Sequence, residues 1–346
     1  MRRNVLQEDL KYISNYDLPY EQMKGKSVLV TGATGLIGVS IVRALLTIGN
    51  IRVIALVRNL EKAQTIYGNL VSPNLKIYIS DITDEIKMEE PVNYIFHCAS
   101  ITTSKTMIEK PVETILTSVD GTNNILNFAR KKKCESVVYV SSMEVYGSFD
   151  ISKEIREEEL GYINPLKVRS NYPESKRLCE NMCVAYYSEF EVPVKIARLA
   201  QTFGAGILQG ENRVFAQFAK SAINSEDIIL HTKGLSEGNY CYTRDCMTGL
   251  LTILLKGENG EAYNISNPEC HTSIADMAKM VAEKIAGNRI KVIYDIPKTD
   301  TFGYAADTKM KLNSDKLQKL GWSPSIGLEE AYRRMISDMK EYDFSE

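Results

Sequence analysis

The stretch Thr31-Gly32-Ala33-Thr34-Gly35-Leu36-Ile37-Gly38 constrains this chain more than any other, because it follows the apolar run 27–30 and opens an apolar helical pattern over 36–48. It reads as strand, glycine turn, helix. Gly32 frees the backbone to turn sharply, Gly35 lets main-chain N–H groups approach a pyrophosphate, and Gly38 lets the helix pack closely. The positive end of that helix then faces the phosphates. A tight βα turn with no ligand uses the same glycines, so the rest of the chain must decide between the two readings.

Further apolar strands are expected at 51–57, 75–80, 94–99, 136–142 and 194–199, with helical patterns at 112–132 and 173–190. Val- and Ile-rich strands alternating with helices require a parallel sheet covered on both faces, a Rossmann-type doubly wound α/β fold. The run Arg130-Lys131-Lys132-Lys133 closes one helix, where cations offset the dipole, and needs no nucleic acid to explain it. Past residue 200 the rhythm changes to loops with helical patterns at 214–223, 273–286 and 328–339. The expected division is a short N-terminal extension 1–24 that packs on the surface, a dinucleotide-binding domain 25–200, and a smaller C-terminal α/β substrate domain 201–346.

With 42 basic against 44 acidic side chains, the chain has no field to attract nucleic acid or an anionic membrane. No apolar run reaches the ~18 residues of a membrane span, and Met1-Arg2-Arg3 leads into polar sequence rather than a signal peptide. The seven cysteines are odd in number and sit in apolar or mixed contexts, which favours reduced thiols in a cytoplasm. His97, His231 and His271 are scattered, and Cys179 and Cys183 lack a second ligand pair, so no metal site is expected.

Tyr172 and Lys176 stand four apart at the start of a helical pattern and share one face. An ammonium beside a phenol lowers the phenol's pKa and makes it a usable general acid/base. The same spacing occurs at Tyr20/Lys24 and Tyr294/Lys298, but the first precedes the opening strand and the last spans Pro297. Tyr172 alone follows a strand ending in hydroxyls, Ser141-Ser142. A serine at the carboxyl end of a parallel strand projects into the crevice where such sheets bind ligands.

Thr31 to Gly38, the segment Ser141-Ser142-Met143-Glu144-Val145-Tyr146-Gly147 and Tyr172-Pro173-Glu174-Ser175-Lys176 together resemble the signature of the extended short-chain dehydrogenases/reductases. Within that family the chain is similar to the nucleotide-sugar epimerases, dehydratases and decarboxylases over residues 25–342. The segment 169–203 looks closest to the UDP-glucuronate decarboxylase branch. The resemblance implies roles by position. Tyr172 is the acid/base, Lys176 holds the cofactor ribose, and Ser142 orients the reacting oxygen. Gly32, Thr34, Gly35, Leu36, Ile37 and Gly38 cradle the pyrophosphate, Asp81 and Ile82 contact the adenine, and Ala99 and Leu199 border the ribose and nicotinamide. Thr102, Ser142, Gln201, Arg213 and Arg244 are the candidate substrate contacts. It also implies a homodimer through the helices 112–132 and 173–190.

Glu144 resembles the carboxylate that serves elimination or decarboxylation in relatives that first oxidise C4, while Met143 cannot donate a proton as a dehydratase aspartate does. A carboxylate that only orders its loop is the alternative. Three departures stand out. Val57-Arg58 replaces the acidic residue of NAD-dependent relatives, and Arg58 suits a 2′-phosphate, tilting the choice between NAD and NADP toward NADP. Gln201 replaces an Asn, and the segment 234–240 lacks an Arg that relatives place on the diphosphate. The acidic run 153–160 is expected to form a solvated lid. The implied activity is oxidation of a nucleoside-diphosphate sugar at C4 with NAD or NADP, then epimerisation, dehydration or decarboxylation. Alternatives are NADPH-dependent reduction of a nucleotide-linked keto sugar or polyol precursor, and a non-catalytic dinucleotide-binding regulator.

Overall fold

The computed structural model describes residues 4–70, 72–149, 153–297 and 308–341. The first half alternates β1 (Ser27–Thr31), α2 (Leu36–Ile48), β2 (Arg52–Val57), α3 (Leu60–Tyr67), β3 (Leu75–Ile79) and β4 (Tyr94–His97), preceded by α1 (Val5–Ser14). It continues through α4 (Ser104–Glu109), α5 (Pro111–Lys132), β5 (Ser136–Ser142) and α6 (Asn171–Phe190). Strands Val194–Leu199 and Ala262–Ile265 extend one edge of a seven-stranded, wholly parallel sheet, which runs 262–265, 194–199, β5, β4, β1, β2, β3. The order in which successive strands are added reverses between β1 and β4, and that switch point opens the crevice.

The strands read as continuous apolar runs because both faces are buried. Val28 and Val30 of β1, with Val53, Ala55 and Val57 of β2, pack beneath α2 and the helix Thr243–Lys256. Leu29, Ile54 and Leu56 point the other way, into a core shared with α5 and α6. The doubly wound α/β fold inferred from the strand and helix patterns is therefore the fold observed.

A second core joins the helices Val214–Asn224, Ile274–Met280 and Leu328–Glu341 to the three-stranded sheet 271–273, 237–242, 201–203. The helix expected over 273–286 is α-helical only to Met280 and then widens into a π-turn over Val281–Ile285. Among the described residues no helix is long and apolar enough to cross a membrane.

Residues 4–24 are held on the body of the protein more firmly than an extension need be, one face exposed and the other buried: Val5 joins the second core, Leu10 and Ile13 join the first, and the buried Asp9 carboxylate accepts Tyr242 Oη at 2.5 Å and Arg334 Nη2 at 2.8 Å. The run 153–160 is not the solvated lid expected. Glu154–Ile155 pairs as a short strand with Lys311–Leu312, Ile155 is buried, and the Glu157 carbonyl accepts Arg198 Nη1 at 2.6 Å. Lys298 lies outside the described residues.

Candidate functional site

The turn after β1 is built for close approach. Gly32 has φ +62°, and a Cβ there would stand 2.8 Å from Ala99 N. A Cβ on Gly38 would strike the Gly32 carbonyl oxygen and come within 2.8 Å of Ala33 Cα. α2 has Gly35 as its N-cap with no side-chain cap, so its first N–H groups lack a protein acceptor. Leu36 and Ile37 direct their side chains into the two cores and leave only main-chain N–H groups for a ligand, while Thr34 and Gly35 line the outer edge. A cradle that only glycines fit, at an uncapped helix N-terminus, matches a dinucleotide pyrophosphate.

Beside it, Thr31 Oγ1 accepts the N–H groups of Cys98 and Ala99, each at 3.1 Å, and lies 2.8 Å from His97 Nδ1. The hydroxyl proton therefore goes to Nδ1, and Nε2–H donates to Thr122 Oγ1 at 3.2 Å. This pins Ala99 at the end of β4. Burial, helped by the Lys176 charge, holds the His97 imidazole down at about 3, against an ordinary 6.5. The folded value lies below the unfolded one, so the unfolded chain binds the proton first as pH falls. Stability present above pH 6.5 is lost toward about pH 3, at about 1.4 kcal/mol per pH unit. Urea midpoints of His97→Gln against pH are expected to fall less steeply in this window than those of the wild type; equal slopes would contradict the assignment.

After β3, Asp81 accepts Thr83 N at 3.0 Å and Thr83 Oγ1 at 2.8 Å, and these bonds, the main-chain one foremost, lower its pKa. Arg58 is largely exposed and approaches Asp81 only to 3.9 Å. Ile82 turns into the core against Gly121 of α5.

Across the crevice, Ser142 ends β5 in register with Leu199. Its Oγ accepts Glu144 N at 3.2 Å and so caps the 3-10 turn Met143–Tyr146. Tyr172 and Lys176 lie in the first turns of α6, and both are buried. Lys176 Nζ donates to Val140 O at 2.8 Å, sits 4.7 Å from the Tyr139 ring centroid, and is 5.8 Å from that of Tyr172. The expected lowering of the phenol by Lys176 is not what governs Tyr172 here. Burial lifts its pKa well above the ordinary value, the Glu144 charge adds to this, and the Ser142 hydrogen bond and the Arg169 and Arg213 charges oppose it. Burial also lowers Lys176. In a crevice this enclosed, desolvation of each charged form outweighs their mutual attraction.

Glu144 pairs with Arg169, whose Nη2 is 3.0 Å from each carboxylate oxygen, and the Arg169 Cζ is 5.9 Å from the Tyr172 ring centroid. Sequence reasoning missed Arg169. Its signal was a cation on the short turn that leads into the Tyr172 helix. Behind the site lies a buried network. Glu180 accepts Ser141 Oγ at 2.6 Å and pairs with Arg198 at 2.6 Å, and Arg198 Nη1 donates to Tyr146 Oη at 3.0 Å.

The candidate substrate contacts divide. Gln201 sits half-buried beside Tyr240, and Thr102 is exposed after β4. Arg213 pairs with Glu211 through Nε at 3.0 Å and Nη2 at 2.6 Å, yet its charge is felt at Tyr172. Arg244 is not brought to the crevice. Its guanidinium stacks 3.9 Å from the Tyr12 ring centroid, donates to Ser325 Oγ at 2.6 Å and faces Asp9 at 3.7 Å, because its helix begins beneath α1.

A doubly wound sheet with a pyrophosphate cradle at its switch point, and a Ser–Tyr–Lys group facing it, defines a nicotinamide-dinucleotide enzyme. The chain belongs to the NAD dependent epimerase/dehydratase family, which matches residues 28–266. UDP-glucuronic acid decarboxylase 2 of Arabidopsis thaliana is 28% identical over 324 residues, covering 93% of this chain and 70% of the relative. The fold is shared with UDP-glucose 4-epimerase of Thermotoga maritima, solved with UDP-glucose (TM-score 0.78, 23% identity, 91% of this chain and 99% of that one). It is also shared with UDP-glucuronic acid 4-epimerase of Bacillus cereus, solved with UDP-glucuronic acid and NAD (TM-score 0.77, 21% identity, 91% and 99%).

Proposed function

We propose that the protein oxidises C4 of a nucleoside-diphosphate sugar bearing a C6 carboxylate, releases carbon dioxide from the 4-keto sugar, and reduces the ketone again. The observation that carries this reading is the Glu144–Arg169 pair set beside Tyr172 and Ser142. The bound nicotinamide supplies a hydride acceptor and donor. Lys176 holds the cofactor ribose and keeps its ammonium near the phenol. Tyr172 takes the C4 hydroxyl proton, favoured in its ionised form by the Ser142 hydrogen bond and the Arg169 and Arg213 charges. Ser142 holds the same oxygen. As the C5–C6 bond breaks, its electron pair moves to the C4 oxygen, where Tyr172 and Ser142 stabilise the enolate. The enolate collapses to the ketone as C5 takes a proton that Glu144 relays from solvent, and Tyr172 returns its proton to the C4 oxygen when the ketone is reduced.

Residues 32–38 and Asp81 suit NAD or NADP, and the exposed Arg58 favours the 2′-phosphate of NADP. Apolar side chains exposed on α5 (Val112, Ile115, Leu116) and α6 (Leu178, Val184, Tyr187) suit a homodimer through these helices. The seven free cysteines suit a cytoplasm.

Incubated with UDP-glucuronic acid and catalytic NAD+ or NADP+, the enzyme is expected to yield a nucleotide sugar lighter by one carbon dioxide, with no net NAD(P)H change, by mass spectrometry and absorbance. A product of unchanged mass, or stoichiometric consumption of NADPH, would contradict the reading.

A further inference from the structure

We infer that Arg169 is the residue that selects a carboxylated sugar, its guanidinium bridging Glu144 and the substrate carboxylate at the mouth of the Tyr172 site; this rests on the uronate reading above. The crevice holds several cations, and most are committed. Lys176 is buried with Nζ on Val140 O. Arg177 donates Nε to Val145 O at 2.7 Å and Nη2 to Gly161 O at 2.8 Å, clamping the turn that carries Glu144. Arg213 spends Nε and Nη2 on Glu211. Arg169 spends only Nη2, on Glu144, and Nε and Nη1 have no partner among the described residues.

Gly238 has no side chain, and a Cβ there would lie 3.7 Å from Met143 Cε. The pair is about one-third exposed, so a ligand can reach it without first opening the core. A planar guanidinium serves two carboxylates at once through different nitrogens, which an ammonium does less well. Glu144 thereby holds Arg169 close to Tyr172, and shares it when the substrate arrives. A sugar with a hydroxymethyl group in place of the carboxylate gains nothing from this arrangement.

The test is calorimetric affinity for UDP-glucuronic acid and for UDP-glucose, measured on the full chain loaded with the reduced cofactor, on which neither ligand can be oxidised. The wild type is expected to prefer the carboxylated ligand. Arg169→Gln should weaken UDP-glucuronic acid by about 10- to 100-fold, the scale of a charge-assisted pair, and leave UDP-glucose within about 3-fold. Arg169→Lys, which keeps the charge and can still pair with Glu144, should recover part of the loss, and it serves as the test if the Gln variant does not fold. Equal weakening of both ligands would mean that Arg169 only orders its turn and would overturn the assignment. A wild type that prefers UDP-glucuronic acid, with variants that keep that preference, would remove Arg169 alone. A wild type with no preference would remove the uronate reading and Arg169 together.

Discussion

Tyr172→Phe is expected to lower turnover by about a hundred- to ten-thousand-fold, the contribution of a positioned general acid/base. The loss follows from geometry. The Tyr172 ring is buried, so phenylalanine fills the same space and removes only the hydroxyl that Ser142 addresses. The pyrophosphate cradle at 32–38 lies on a different element, so cofactor affinity should remain within a few-fold. Steady-state rates, with fluorescence titration of the reduced cofactor, separate the two effects. Turnover near the wild-type rate would transfer the proton to another group and dismantle the assignment.

Arg198→Met is expected to destabilise the fold by about 3–5 kcal/mol, because removing one partner of a buried pair leaves an uncompensated charge. Glu180 and Arg198 have side chains only 10% and 7% exposed, and Arg198 also supplies Tyr146 Oη and the Glu157 carbonyl. The double variant Arg198→Met with Glu180→Met should recover most of the loss, since apolar groups of similar size replace such pairs at little cost. Urea unfolding midpoints measure both. The catalytic consequence runs through Tyr146, which ends the turn bearing Glu144, so the single variant should also lose activity at temperatures where it remains folded. A single variant as stable as the wild type would mean that this network does not hold the turn.

What was legible in the chain was local. Runs such as Ser27–Thr31 and Ser136–Ser142 are apolar on both faces, so their place within a parallel sheet follows from composition alone. Gly32 and Gly38 read correctly as positions of close approach because a Cβ has nowhere to go there. What was missed depends on partners far along the chain. The extension 1–24 carries no sign of what it packs against, since that depends on Asp9 meeting Arg334, 325 positions away. Arg244 looks available until Tyr12 covers it. Arg169 is visible as the cation that opens the segment 169–203, but its partner Glu144 is fixed only by the turn at 168–170. The pKa of Tyr172 was misread for the same reason: proximity to Lys176 is visible in spacing, whereas the desolvation that outweighs it is a property of the closed crevice.

The central claim is an internal redox cycle at C4, and UDP-glucuronic acid carrying deuterium at C4 tests it most directly. With catalytic cofactor, the account predicts a decarboxylated product that retains deuterium at C4. Loss of that deuterium from the product, whether to solvent or into added cofactor, would contradict it.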